Sequence, residues 1–229
     1  MKRITIAIDG PAASGKSTTA ELVARKLGYV HLDTGAMYRA ITFGILQKGI
    51  SASAKKEVQE FAQKANLVVR PDERHSNIII LNGVNVTVEI RSPEVTRNVS
   101  TVSSYEAVRS VLVREQRKLA EHGGIVLEGR DIGTVVLPDA DLKIFMVASV
   151  TERARRRKKD LLTVGIEVED EEVAREIEER DRKDSTREVS PLRMAEDAIK
   201  LDTSDLTIDE QVDFIVERAR RVISGGGDK

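Results

Sequence analysis

The chain reads as a three-layer α/β/α protein on a five-stranded parallel sheet, with a small β-rich insert and a short lid. Three observations carry that reading. The apolar run Ile4-Thr5-Ile6-Ala7-Ile8 passes through a glycine-rich turn into an amphipathic segment, Thr18 to Leu27, as the opening of a parallel sheet does. Further apolar runs of strand length then alternate with segments of helical period. Between residues 66 and 91 this grammar gives way to short β-type runs around Asn82-Gly83, a strong hairpin signal.

Each element follows from its own residues. Ala20, Val23, Ala24 and Leu27 recur at i, i+3, i+4 and i+7 before Gly28, which stops the first helix. Tyr29-Val30-His31-Leu32-Asp33 is a second buried strand, and Thr34 to Lys48 a helix ended by Gly49. Ala54 to Ala65 is a third helix with Val58, Phe61, Ala62 and Ala65 on one face. The insert's strands are Leu67 to Arg70, Asn77 to Leu81 and Val84 to Val88. Ser92-Pro93-Glu94 starts a helix with proline at its first position, and the capping box Ser103-x-x-Glu106 starts another that runs to about Glu121. Ile125 to Glu128 and Leu142 to Val147 are apolar enough for central parallel strands. Ser149-x-x-Glu152 opens a basic helix, the chain breaks near Gly165, and an acidic helix runs from about Asp170 towards Arg187. Ala198 to Asp202 is the last strand. Thr207-x-x-Glu210 then opens a terminal helix carrying Val212, Ile215, Val216, Ala219 and Val222. The parts divide as core 1–65, insert 66–91, core 92–150, lid region with flanking helices 151–190, and core 191–229 with a tail from Ser224 expected to be disordered.

Composition narrows the function. At 229 residues and 40% hydrophobic content, the chain can bury a substantial core. Charged residues make up 33% but balance to −1, and aromatics are only 3%, so neither a polyanion-binding charge nor stacking platforms for nucleic acid are in place. A small, locally charged phosphate ligand fits better. With no cysteine there are no disulfides, thiolate metal sites or cysteine nucleophiles. No stretch approaches a membrane span, and the start shows no signal-peptide layout, so a cytoplasmic protein is the expectation.

The chemistry begins at Gly10-Pro11-Ala12-Ala13-Ser14-Gly15-Lys16-Ser17, which has the spacing G-x-x-x-x-G-K-[ST] of a phosphate-binding loop. Such a loop wraps backbone N–H groups around a phosphate, sets Lys16 on the β- and γ-phosphates and turns Ser17 toward Mg²⁺, while the following helix adds its N-terminal dipole. The ATP-binding candidates are therefore Gly10, Pro11, Ala12, Ala13, Ser14, Gly15, Lys16, Ser17 and Thr18. The fold class becomes that of the P-loop NTPases.

Ligands in open α/β sheets bind beyond the carboxyl ends of the strands. That rim receives Asp33, Thr34, Tyr38 and Arg39 after the second strand, and Glu128-Gly129-Arg130-Asp131 after the Ile125 run. Arg39 and Arg130 are guanidinium forks suited to a second phosphate, and their place past buried strands favours this over ordinary surface arginines. Val173, Ile177, Arg180, Asp184 and Arg187 form one helix stripe, apolar first and charged last. Its charged end is either a cleft face or a solvent ladder of ion pairs. The run Arg153, Arg155, Arg156, Arg157, Lys158, Lys159 poses the same choice. Arg153 and Arg157 share a face and could meet a triphosphate when a lid around Leu161 to Glu169 closes. No side-chain nucleophile stands out, so direct in-line transfer between two bound nucleotides is the simplest chemistry.

Taken together, GPAASGKST, LDTGAMYRA, EGRDIGTVV, ERARRR and ERDRKDSTREVSPL resemble the bacterial cytidylate kinase family of the longer type, within the P-loop nucleoside monophosphate kinases. The resemblance spans residues 3 to about 222. Its only variation is Lys16-Ser17 in the loop, where some members have Lys-Gly. It implies ATP-dependent phosphorylation of CMP and dCMP to CDP and dCDP, in pyrimidine nucleotide metabolism, with Mg²⁺. It implies catalytic roles for Lys16, Arg130, Arg153, Arg157 and Arg187, and metal roles for Ser17 and, through ordered waters, Asp33. The CMP site it implies comprises Thr34, Tyr38, Arg39, Ser100, Arg109, Arg130, Asp131, Arg180, Asp184 and Arg187. In it Arg39 and Arg130 hold the phosphate with Arg187 near, Ser100, Arg109 and Asp131 read the cytosine, and Arg180 and Asp184 hold the sugar. ATP and CMP or dCMP are the expected partners of a monomer, with no nucleic acid or membrane. The competing readings are a P-loop kinase of another acceptor, such as another nucleoside monophosphate or shikimate, and a nucleic-acid-dependent ATPase using the basic helix.

Overall fold

The computed structural model describes residues 2–71, 77–163 and 165–225. β1 (Thr5–Asp9) lies at the centre of the larger sheet and leads into α1 (Lys16–Leu27), which ends on Gly28 in the left-handed conformation. β2 (Val30–Asp33) passes straight into α2 (Thr34–Gln47), whose first turn is capped by the Asp33 carboxylate accepting from the Ala36 N–H at 3.0 Å. α3 (Lys55–Lys64) follows, then the antiparallel β3 (Leu67–Pro71), β4 (Asn77–Leu81) and β5 (Val84–Asn85). Asn82 and Gly83 both have positive φ, as the two-residue turn requires.

β5 is shorter than the Val84 to Val88 run suggests. Asn85 Oδ1 accepts from the Thr87 N–H at 3.1 Å, a local turn, and Thr87 Oγ1 takes the Ile79 N–H at 2.9 Å that a longer strand would have paired. Val84 and Val88 are exposed while Val86 is buried. A 3₁₀ turn, Glu89–Arg91, leads into α4 (Pro93–Ser103), capped by Ser92 with Pro93 at its start.

The capping box expected at Ser103 is absent. α4 continues through Ser103, whose hydroxyl bonds back to the Ser100 carbonyl at 3.1 Å, so it is not available as a cap. α5 (Glu106–Ala120) starts instead after Tyr105, whose hydroxyl donates to the Ala52 carbonyl at 2.9 Å. β6 (Ile125–Gly129) ends in a π-helical turn, Ile132–Val136, that sequence periodicity did not signal. β7 (Leu142–Val147), α6 (Val150–Thr163), α7 (Asp170–Thr186), β8 (Ile199–Asp202) and α8 (Ile208–Ile223) complete the described chain. Thr207 and Glu210 form the reciprocal capping box at the start of α8. Of the tail expected to be disordered from Ser224, Ser224 and Gly225 form a turn bonded back to α8, and residues 226–229 lie outside the described residues.

The five core strands run parallel in the order β2-β6-β1-β7-β8. Alternation along β1 and β6 feeds two layers. Ile4, Ile6, Ile8 and Val126 pack with Val23 of α1 and Val212, Ile215 and Val216 of α8. Ala7, Ile125 and Leu127 pack on the other face with Met37 and Ile41 of α2, Val99 of α4, Leu112 of α5, and Ile79 and Leu81 of the insert. The insert therefore shares the main core. α6 and α7 have a small core of their own, Ala154, Leu161, Val173 and Ile177, touching the rest through Ala13 of the phosphate loop. No helix among the described residues is long and apolar enough to cross a membrane. The sheet order reverses beside β1, so the crevice beyond the carboxyl ends of β1 and β6 is where a ligand belongs.

Candidate active site

That crevice is a cleft of about 950 Å³. On its β1 side the loop from Gly10 to Gly15 holds φ angles that most residues avoid, 152° at Gly10, 57° at Ala13 and 94° at Gly15. A Cβ on Gly10 would lie 2.1 Å from the Met146 carbonyl oxygen, so only glycine lets the loop pass over β7. No side chain caps α1, which leaves its first N–H groups for an anion. Ala12 through Thr18 line the cleft, whereas Gly10 and Pro11 shape the loop from behind. Lys16 Nζ donates to the Pro11 carbonyl at 2.7 Å and to Ser14 Oγ at 3.3 Å. Burial, aided by the nearby Arg130 charge, pushes the Lys16 ammonium down to about 7, with Glu128 and Asp9 opposing. An anion in the loop would relieve that strain.

Ser17 donates its hydroxyl hydrogen to Glu128 Oε2 at 2.7 Å, and Thr34 Oγ1 donates to the Glu128 carbonyl at 2.7 Å. Glu128 is the acidic end of an otherwise apolar strand beside β1, and in P-loop nucleotide enzymes an acid so placed shares Mg²⁺ with the loop hydroxyl. Ser17 and Glu128 offer the hard oxygens that Mg²⁺ prefers. Asp33, expected to act at the metal, has both oxygens engaged, Oδ1 with the Ala36 N–H and Oδ2 with Arg39 Nη2 at 2.6 Å. Burial works against its charge, but Arg39 and the Ala36 N–H hold the carboxyl below the usual range. The structure thus makes Asp33 the anchor of Arg39, while Glu128 is the carboxylate that meets the Ser17 hydroxyl directly.

Opposite the loop, Arg39, Arg130, Arg157 and Arg180 come together from α2, the end of β6, α6 and α7. Burial, then repulsion from Arg130, pushes Arg180 down to about 10, with Asp184 opposing. Asp184 is the partner of Arg130. Its Oδ2 accepts from Arg130 Nε at 2.9 Å, and its Oδ1 accepts from the Ser100 hydroxyl at 3.4 Å. Burial raises the Asp184 carboxyl, but Arg130 and Arg180 bring it to a net value below the usual range.

Deeper in, Asp131 pairs with Arg109, and Arg187 Nη2 stands 3.6 Å from its other oxygen. Burial raises the Asp131 carboxyl against the pull of these two arginines. Arg109 lies over the Tyr38 ring, 5.5 Å from its centre. Burial pushes the Tyr38 hydroxyl up to about 12, so it stays protonated. Arg187 falls one residue beyond α7 in extended backbone and bonds to the Ser190 carbonyl, so the charged stripe ends at Asp184.

Among the catalytic candidates, Arg153 is the one that the structure does not bring into the cleft lining. Its Nη1 donates to Asp181 Oδ2 at 2.5 Å and to the Ala12 carbonyl at 3.3 Å, tying α6 to α7 and to the phosphate loop. Arg156 also braces the loop, through Ser14 O at 3.2 Å, and spans to Thr203 O at 2.5 Å. Sequence reading gave no role to Glu128, Arg156 or Asp9. The Asp9 carboxylate accepts from Ile132 N at 2.8 Å and Gly133 N at 2.7 Å, which pins the π-helical turn, and burial pushes it up to about 6. The available signal was an acid closing an apolar strand, as in TIAID and IVLEG.

A phosphate loop facing a second cluster of guanidiniums across one cleft defines a P-loop kinase, a class that brings a phosphoryl donor up to an acceptor. A gluconokinase structure from Sinorhizobium meliloti 1021, 12% identical, superposes with a TM-score of 0.51 over 98% of this chain and 97% of its own, which shows the fold alone. The family model described as Cytidylate kinase matches residues 6–221. The Lactococcus lactis subsp. lactis cytidylate kinase is 52% identical over 223 residues, 97% of this chain and 100% of that one. The Streptococcus thermophilus cytidylate kinase is 50% identical over 226 residues, 99% and 100% of the two chains. The chain belongs to the cytidylate kinase family.

Proposed function

We propose that this protein transfers the γ-phosphoryl group of ATP to CMP or dCMP, giving ADP and CDP or dCDP. The observation that carries the reading is the placement, across one cleft, of the Lys16 loop opposite Arg39, Arg130 and Arg180: Asp33 and Asp184 hold the first two in position, and Arg180 has no ion-pair partner among the described residues. Family membership supplies the base.

The acceptor needs no general base. A phosphate monoester with a second pKa of about 6 is already an anion near neutrality. One of its oxygens bonds to the γ-phosphorus as the bond from that phosphorus to the β–γ bridging oxygen breaks, and the electron pair leaves with ADP. The protein's part is electrostatic and geometric. Lys16 meets the β- and γ-oxygens; Arg39 and Arg130 align the acceptor phosphate, with Arg187 near; Arg157 faces the transferring group. Arg153 joins it only if Asp181 releases it on closure. α6 and α7, whose own small core meets the phosphate loop at Ala13, cover the reacting atoms and exclude water. Ser17 and Glu128 would hold Mg²⁺, which when bound spreads the charge of the β- and γ-phosphates.

Base choice falls to Asp131, Arg109 and Ser100. Cytosine presents an amino donor beside two acceptors, which suits one carboxylate with guanidinium and hydroxyl donors. The sugar lies toward Arg180 and Asp184. A monomer working in the cytoplasm is the setting this reading expects.

ADP release measured with ATP against CMP, dCMP, UMP, AMP, GMP and shikimate tests the proposal. CMP and dCMP are expected to be the best acceptors. Preferred turnover of shikimate or a purine monophosphate, or ATP hydrolysis stimulated by nucleic acid with no phosphorylated acceptor, would overturn it.

A further inference from the structure

Behind the phosphate loop, between β2 and β6, lies a histidine against Glu128 that the roles above leave unused. His31 Nε2 stands 3.2 Å from Glu128 Oε1, and the other oxygen of that carboxylate accepts the Ser17 hydroxyl at 2.7 Å. His31 is 5% exposed and Glu128 3%. An ionised carboxylate only accepts, so the facing His31 nitrogen carries the hydrogen.

The geometry has a consequence for Ser17. A hydroxyl that donates to Glu128 turns its hydrogen away from the loop and leaves its lone pairs for a cation. Glu128 can hold that hydroxyl steady only if its carboxyl group does not rotate, and His31 is the side chain that clamps the second oxygen. The backbone of His31 is itself held. Asn77, at the start of β4, donates to the His31 carbonyl at 2.6 Å and accepts the Asp33 N–H at 2.7 Å, closing the open edge of β2. A line of hydrogen bonds thus runs from the insert through His31 and Glu128 to Ser17.

We propose that His31 is a positioning residue for the metal–nucleotide complex: its imidazole N–H clamps Glu128, and Glu128 in turn aims the Ser17 hydroxyl oxygen at the cation. This rests on the kinase reading above. A histidine present only for packing would be replaceable by any side chain of similar bulk, whereas a clamp needs a donor. Partners that orient first-shell ligands typically account for about 10- to 100-fold in metal affinity.

The test compares His31→Met and His31→Phe, which keep bulk without a donor, with His31→Gln, which keeps a donor. Electron paramagnetic resonance reads the Kd for Mn²⁺ in the complex of full-length protein with a non-hydrolysable ATP analogue. Calorimetry reads CMP affinity, and analogue affinity in chelator. The two donor-less variants are expected to weaken Mn²⁺ binding about tenfold or more, with CMP and metal-free analogue affinities unchanged, and His31→Gln to stay within about twofold of the parent protein. Unchanged Mn²⁺ affinity in whichever donor-less variant folds, or a loss in His31→Gln equal to theirs, would overturn the proposal. If the parent protein itself fails to phosphorylate CMP, the kinase reading has failed rather than the clamp.

Discussion

Asp131→Asn separates base reading from general support of the cleft. Asp131 is 4% exposed and is shared by Arg109 and Arg187. Asparagine keeps its shape, removes the charge and turns one oxygen into a donor. Breaking a buried ion pair costs about 3–5 kcal/mol. The remaining amide oxygen still accepts from one guanidinium, so the expected loss is near the lower end, about 3 kcal/mol, or a fall in Tm of about 6–12 °C at this chain length. Selectivity moves separately. For CMP, a charge-assisted acceptor becomes a neutral one of roughly half the strength, a loss of about 1 kcal/mol. For UMP, a carboxylate opposed to a carbonyl becomes an amide able to donate, a gain of at least about 1 kcal/mol. The sum, about 2 kcal/mol, predicts that the CMP-to-UMP ratio of kcat/KM narrows roughly 30-fold. The assay is coupled ADP release with each acceptor, run below the variant's melting range. Equal losses for CMP and UMP, leaving the ratio unchanged, would refute base reading by Asp131.

Lys16→Ala is expected to lose about 10²-fold or more in turnover while its circular dichroism stays that of the parent, because the ammonium acts on charge that builds on the β- and γ-oxygens. Near-parental turnover would remove Lys16 from the mechanism. Because α6 and α7 have a separate small core, limited proteolysis should cut the connection between them in free protein and be slowed by a bisubstrate analogue joining the two nucleotides. Equal cleavage with and without saturating analogue argues against closure. A Cβ at Gly44 would lie 2.5 Å from Phe61 Cζ and 2.7 Å from Leu81 Cδ2. Gly44→Ala should therefore cost about 1–3 kcal/mol in urea unfolding, and a neutral result would show that the insert yields freely.

What could be read from the residues depended on how local the cause was. The loop from Gly10 to Ser17, the stop at Gly28, the Asn82-Gly83 turn and the Thr207 capping box are each set within a few residues, and the structure shows them where the pattern put them. The five parallel strands were legible because both sheet faces are covered, which writes an apolar run into each. Long-range competition was not legible. Ser103 and Glu106 have the spacing of a cap, yet α4 claims Ser103 because Val99 and Val102 are drawn into the core. The partners of Asp33 were hidden in the same way: no spacing rule showed that its two oxygens would meet the Ala36 N–H and Arg39. The Arg153 partner Asp181 is 28 residues away, on another helix, and no spacing rule connects them. Glu128 was visible as a rim residue, but its contacts with Ser17 and His31 span 111 and 97 residues and exist only once the sheet has formed.

The central claim is direct transfer from ATP to a cytidine monophosphate inside one cleft. Incubating the protein with ATP labelled in its γ-phosphate, Mg²⁺, and equal concentrations of CMP and UMP, then separating nucleotides and protein, tests it in one tube. The account predicts that the label appears in CDP well ahead of UDP, with none retained on the protein. Equal labelling of UDP and CDP, or label trapped on a side chain before it reaches the nucleotide, would contradict it.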